Sequence, residues 1–123
     1  MKEPFLFVIL LVSILVGCSD KHIFLSGESE NWKGEYSANI SGNREDGNYL
    51  FGYKNGEKDT KFKNLEIVIN DGNGETVRKE DIHKGATIRI SSSCSGCAVT
   101  REDEPIKVTI KWDDKNEETF YVK

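Results

Sequence analysis

From Trp32 onward, apolar and polar residues alternate along the chain with a period of two. In the stretch WKGEYSANIS, Trp32, Gly34, Tyr36, Ala38 and Ile40 share one phase, and charged or small polar residues occupy the other. Successive side chains of a β-strand point to opposite faces of its sheet, so this pattern predicts a half-buried strand. No stretch of about a dozen residues carries the i, i+3, i+4 spacing of an amphipathic helix.

The same alternation recurs in shorter segments that are separated by turn-forming sequences. Further strands are predicted in YLFGYK, FKNLEIVIN, a short piece at Thr76–Arg78, ATIRIS, IKVTIKW and TFYVK. Turns are predicted at NREDGN, at Asn55-Gly56, at DGNGE and at DDKNEE, with a turn or single helical turn at KEDIHKG. About seven short strands at this spacing favour an all-β, antiparallel, immunoglobulin-like sandwich over residues 32–123. A small closed barrel is the alternative. Trp112, in phase with its strand's aliphatic residues, is predicted to be buried.

The N-terminal segment has the pattern of an exported lipoprotein. The run Phe5–Val16 is apolar apart from Ser13 and is shorter than the roughly 20 residues of a membrane-spanning helix. It has the length of a signal-peptide core. LVGC, ending at Cys18, resembles the lipobox of bacterial lipoproteins, whose cysteine is diacylated before the chain is cut ahead of it. An ordinary secretory signal or a short buried helix is the alternative.

These features predict a lipoprotein signal peptide over residues 1–17 and a lipidated N-terminus and tether over residues 18–31. Ile23–Leu25 are expected to lie along an edge of the domain. A diacylglyceryl group on Cys18, with or without an N-acyl chain, would hold the protein on the extracytoplasmic face of the cell membrane, because two acyl chains give stable attachment. The net charge of −4 argues against nucleic acid as a partner.

The chain has three cysteines, and lipidation of Cys18 leaves Cys94 and Cys97 as one pair. Disulfides are stable outside the cytoplasm, and the intervening Ser95-Gly96 turn allows the two Cα atoms to approach. We therefore predict a structural disulfide that stiffens a loop. The alternatives are a reduced pair that binds Cu(I) and a redox pair in an envelope thiol–disulfide protein. A redox pair is expected at the start of a helix, and acidic residues follow here instead.

Tyr49, Phe51 and Tyr53 form an aromatic row on one face of a predicted strand. If exposed, the row is a candidate binding surface that would stack on sugar rings or contact a partner protein. The alternative is that this face belongs to the core.

Metal-binding and catalytic patterns are weak in this chain. Asp71, Asn73 and Glu75 resemble the start of a calcium loop, but the glycine and glutamate expected later in that loop are missing. The two histidines, His22 and His83, lack the spacing of a zinc finger with the cysteine pair. No serine lies in a nucleophile elbow, and the adjacent carboxylates, such as Glu102-Asp103, are typical of solvated turns. We predict no metal, no cofactor and no enzymatic activity.

Together, Cys18, GESENWKGEY at residues 27–36 and SCSGCAVTREDEPIKVTIKW at residues 93–112 resemble the small uncharacterised lipoproteins of Bacillus-like Gram-positive bacteria. The resemblance covers essentially the whole mature chain. It implies a lipid-anchored β-rich domain on the outer face of the membrane, and it brings no activity, ligand or catalytic residue with it. The expected function is that of a non-enzymatic envelope module that binds a protein or wall component or has a structural role.

Overall fold

The alternating segments form eight antiparallel strands in a computed structural model, which describes residues 20–96 and 99–123. The strands are β1 (Lys21–Glu28), β2 (Trp32–Ser41), β3 (Arg44–Tyr53), β4 (Lys61–Asn70), β5 (Glu75–Lys84), β6 (Thr87–Ser95), β7 (Ile106–Trp112) and β8 (Asn116–Val122). No helix in the described part of the chain is long and apolar enough to cross a membrane. The predicted signal peptide, Cys18 and Cys97 lie outside the described residues.

Two four-stranded sheets make a sandwich, with strand orders β1-β2-β3-β6 and β5-β4-β7-β8. The all-β sandwich predicted from the sequence is therefore confirmed. The immunoglobulin-like type is not confirmed. In immunoglobulin domains the second strand lies between the first and the fifth, whereas here β2 lies between β1 and β3.

The edges of the two sheets meet along one side of the sandwich. The Ser26 amide donates to the Lys123 carbonyl at 3.3 Å, and the Lys123 amide donates to the Ser26 carbonyl at 3.0 Å. Gly27 permits this approach, because a Cβ at that position would overlap the backbone carbonyl of Tyr121. The contact closes the β1–β8 side and leaves β6 and β5 as the edges of the other side.

The described part of the predicted tether, residues 20–31, is mostly strand, because β1 occupies Lys21–Glu28. Ile23 and Leu25 are buried against the core, which confirms that this segment lies along an edge of the domain, while Phe24 between them points outward. β1 extends the first sheet beyond β2, so it raises the number of strands from the predicted seven to eight. The short apolar segment Ile23–Leu25 stabilises β1 because two of its three side chains are buried in the core.

Two predicted turns are strands in the structure. NREDGN is mostly the beginning of β3, and the chain reverses just before it, at Gly42, where φ is +62°. KEDIHKG is mostly the end of β5, a ten-residue strand that pairs with β4 although nearly all of its side chains are exposed. Polar composition indicated turns in both places, but backbone pairing with a neighbouring strand decides the structure.

The core lies between the sheets and is built from the apolar phase of each strand. Trp112 is buried, as predicted, and Trp32 is fully buried. At one end of the core, Trp32 packs against three aromatic rings, those of Tyr53, Phe62 and Trp112, with ring centroids 5.2–5.6 Å away. We call these four residues the aromatic end.

Candidate functional site

At the other end of the same β2–β3 hairpin, the inward phase changes from aromatic to polar side chains. Tyr36 and Tyr49 are paired across the two strands, with ring centroids 4.4 Å apart. Beyond them, Gly47 and Glu45 continue the inward phase of β3. We call Tyr36, Glu45 and Tyr49 the polar end.

Glu45 is a carboxylate within the sandwich, with 9% of its surface exposed. It accepts hydrogen bonds from the Tyr36 hydroxyl, from the Thr100 amide at 2.6 Å and from the Thr100 hydroxyl at 2.7 Å. A buried carboxylate requires such donors, because an unpaired charge inside a protein is strongly unfavourable. Glu45 therefore fastens the β6–β7 connection to the inner face of the first sheet.

Gly47 gives the Tyr36 ring the space that this arrangement needs. A Cβ at Gly47 would overlap the Tyr36 hydroxyl and would lie 2.6 Å from the ring carbon that bears it. The missing side chain therefore lets the Tyr36 ring pass close to Gly47 and direct its hydroxyl to Glu45.

A cavity of about 460 Å³ opens at the polar end, beside the β6 edge of the sandwich. Its volume falls within the range of small-molecule sites. The lining includes Tyr36, Glu45, Tyr49, Asp71, Glu75 and Cys94, together with short polar residues of β6 and of the β4–β5 turn. The lining residues that the structure describes include no lysine, arginine or histidine.

The electrostatic environment of the cavity is negative. Burial, together with the hydrogen bond to Glu45 and its charge, raises the pKa of Tyr36 far above its ordinary value. Burial raises the pKa of Tyr49 as well, and the negative charges of Asp71 and Glu45 add to the effect. Both tyrosines are therefore neutral hydroxyl groups at neutral pH.

Three features predicted separately from the sequence meet at this cavity. Asp71 and Glu75 come from the segment that resembles a calcium loop, Cys94 comes from the cysteine pair and Tyr49 comes from the aromatic row. The turn itself is an ordinary hairpin, in which the Asp71 carboxylate accepts from the amides of Asn73 at 2.9 Å and Gly74 at 3.1 Å. Residues 20–96 and 99–123 contain no group of three or more His, Cys, Asp or Glu side chains placed to hold a metal ion.

The aromatic row is not an exposed binding surface. Tyr49 and Phe51 are buried, and Tyr53 packs against the core as part of the aromatic end. The structure thus supports the alternative in which this face of the strand is core. Tyr49 is an exception in one respect, because its ring is buried and its side chain also lines the cavity.

The two histidines lie on different sheets. His22 on β1 bonds to the Asn39 side chain at 2.8 Å, and His83 on β5 contacts Glu80 and the Thr87 carbonyl, each at 3.0 Å. Cys94 is half-buried and lies opposite Glu45 in the β3–β6 ladder. Its predicted partner, Cys97, lies outside the described residues.

Sequence reasoning missed Glu45 and Thr100. The composition of NREDGN predicts a turn, which places Glu45 outside the strand. The signal that could have found it is the alternation of YLFGYK extended backwards, which puts Gly47 and Glu45 in phase with Tyr49. Thr100 carries no local signal, because its contact with Glu45 depends on the path of a loop.

Comparison of the chain with protein-family models, with curated proteins and with solved structures finds no match in any of the three.

Proposed function

We propose that this protein is a non-enzymatic, lipid-anchored binding module of the cell envelope, and that its ligand site is the cavity at the polar end. The observation that carries the proposal is a cavity of about 460 Å³ lined by hydroxyl and carboxylate groups. These groups suit hydrogen bonding to a small polar ligand. The lining that the structure describes lacks a histidine to activate a serine, threonine or cysteine as a nucleophile.

The anchoring part of the proposal has its support in the sequence. LVGC at residues 15–18 follows an apolar run of signal-peptide length, and the resemblance to small lipoproteins of Bacillus-like Gram-positive bacteria points the same way. We expect Cys18→Ala to prevent acylation, so that the protein no longer partitions into the detergent phase after Triton X-114 extraction. Wild-type protein without a diacyl group at its mature N-terminus would contradict the anchor.

The binding part can be tested in intact cells with a photoreactive amino acid placed at Thr76, an exposed residue of the cavity lining. Asp59, which is exposed in the β3–β4 connection, is the matched control position. We expect irradiation to give an adduct of defined mass at Thr76 and none at Asp59. Equal labelling at the two positions, or no adduct at Thr76, would contradict binding at the cavity.

We further propose that Cys94 and Cys97 form a disulfide that stiffens the β6–β7 connection. Lipidation of Cys18 leaves these two cysteines as the available pair, and Gly96 adopts a φ of +77°, which suits a tight turn between them. Thiol alkylation before and after denaturation, without reductant, should leave both residues unmodified in mass spectra. The double variant Cys94→Ser/Cys97→Ser should lose no more than about 2 kcal/mol of stability, because the enclosed loop is short. Turnover in an insulin-reduction assay would instead support the alternative function as a thiol–disulfide protein.

A further inference from the structure

The Tyr49 hydroxyl is a polar group at the cavity that has no partner among the residues that the structure describes. Tyr49 is 5% exposed, and its hydroxyl makes no hydrogen bond with any residue that the structure describes. Among the described residues, Trp32 Nε1 at the aromatic end is the polar side-chain atom that is both fully enclosed and without a partner. The Tyr49 hydroxyl also has no partner among them but is not fully enclosed. The Tyr49 hydroxyl is therefore accessible, and it opens onto the cavity that its side chain lines.

The charges around this hydroxyl are also uncompensated. Asp71 and Tyr49 line the same cavity, and the negative charge of Asp71 raises the pKa of Tyr49, after the larger effect of burial. Neither Asp71 nor Glu75 takes part in an ion pair within residues 20–96 and 99–123. Glu45 differs from both, because three hydrogen bonds already satisfy its carboxylate.

We propose that the cavity binds an ammonium group carried on a small polyhydroxyl molecule, such as an amino sugar. The inference depends on the proposed function, because it names the ligand class of the same site. The ammonium group fits beside Asp71 and Glu75, where it supplies the missing positive charge. The Tyr49 hydroxyl and the hydroxyl of Ser92 are then available to the hydroxyl groups of the ligand.

Two other ligand classes fit the site less well. Calcium requires six to eight oxygen ligands, and the described residues bring no group of three metal-binding side chains together. A neutral sugar would satisfy the Tyr49 hydroxyl, but it would cover two carboxylates without neutralising them, which is unfavourable in a partly enclosed site. An ammonium-bearing ligand satisfies the hydroxyl and the carboxylates together.

Three sugars that differ at one position can test this inference. Glucosamine carries an ammonium group at C2, N-acetylglucosamine a neutral amide and glucose a hydroxyl. Saturation-transfer NMR on the full-length protein in detergent micelles, with empty micelles as the blank, would measure the dissociation constant of each sugar. We expect glucosamine to bind at least about tenfold more tightly than either neutral sugar, because hydrogen bonds to charged groups are the stronger ones.

Asp71→Asn is the variant that tests the role of the charge. An asparagine retains the side-chain oxygen that accepts from the Asn73 and Gly74 amides, so the β4–β5 turn is kept. Asp59→Asn removes one negative charge at an exposed position away from the cavity and is the matched control. We expect Asp71→Asn to weaken glucosamine binding about tenfold and Asp59→Asn to leave it unchanged.

The outcomes separate this inference from the proposed function. Glucosamine and N-acetylglucosamine could bind equally well, and Ser92→Trp, which adds bulk at the cavity, could weaken both. That result would overturn the ammonium preference and leave the binding function standing. Failure of all three sugars to bind would overturn the ligand class, while the photocrosslinking at Thr76 decides the binding function independently. An equal loss of glucosamine affinity in Asp71→Asn and Asp59→Asn would also overturn the inference, since it would indicate a general charge effect.

Discussion

The two ends of the β2–β3 hairpin have the same backbone but opposite interiors. Trp32 and Tyr53 are opposite each other in the ladder, and so are Tyr36 and Tyr49, about 13 Å further along the strands. At the aromatic end the rings pack on one another and fill the space between the sheets. At the polar end a buried carboxylate and a glycine replace two large side chains, and a cavity remains.

A glutamate fastens a loop at each end, but in different surroundings. Glu118 at the aromatic end accepts from the Ser29 hydroxyl and from the amide and side chain of Asn31, and it is half-exposed. Burial opposes ionisation of Glu118, but these hydrogen bonds outweigh it and lower its pKa. Glu45 makes as many bonds in a buried position, next to the cavity. The comparison indicates that the aromatic end contributes more to stability, whereas the polar end is less fully packed and leaves a cavity open.

The largest effect is expected from a substitution at the aromatic end. Trp32→Ala would remove a fully buried indole and leave a cavity among three rings, so we expect a loss of about 3–5 kcal/mol in the free energy of unfolding. Chemical denaturation would measure it. Trp32→Phe, which keeps an aromatic ring, should cost less. A loss below about 1 kcal/mol for Trp32→Ala would contradict the view that this end is the stabilising one.

At the polar end, the next effect concerns the space that Gly47 provides. Gly47→Ala would force the Tyr36 ring away from Glu45, and we expect a loss of about 1–3 kcal/mol, as for other overpacked sites. Gly52→Ala is the matched control, because Gly52 lies on the same strand and a Cβ there meets no atom within 4 Å. If both variants lose the same stability, the effect belongs to glycine in a strand and not to the Tyr36 ring.

The two glutamates can be compared directly by the same substitution. Glu45→Gln replaces a carboxylate that accepts three hydrogen bonds by an amide whose nitrogen can only donate. One or more of the Tyr36 and Thr100 donors then lose their acceptor in a buried site. We expect a loss of about 1–3 kcal/mol for Glu45→Gln and a smaller loss for Glu118→Gln, whose donors can turn to water. Thermal unfolding of both variants would test the ranking. The reverse order would indicate that Glu118 is the more tightly held of the two.

The difference between the two ends also explains what could be predicted from the sequence. The aromatic end follows from strict alternation, which places Trp112 and its strand neighbours on one face. The polar end departs from that rule, because Glu45 and Gly47 occupy inward positions where apolar residues are expected. Such residues indicate a turn by composition, and their burial depends on Thr100 and the Tyr36 hydroxyl, which are remote in sequence. The cavity could not be predicted, since it is formed by elements from both sheets.

The smallest effect concerns the response of the polar end to alkaline pH. The pKa of Tyr49 is raised in the folded state, so the unfolded chain loses its proton first as the pH passes the ordinary value of about 10. The stabilisation is fully present below that pH and declines as the pH rises, because the unfolded state then binds fewer protons than the folded state. At about pH 10.5 the loss through Tyr49 should be up to about 1 kcal/mol relative to pH 8. Tyr49→Phe should remove this part of the pH dependence, and Tyr121→Phe, at a half-exposed position on the outer face of β8, is the control. Denaturation curves at the two pH values would measure the difference. An equal reduction of the pH dependence by both substitutions would mean that the buried polar end has no special role in the alkaline response.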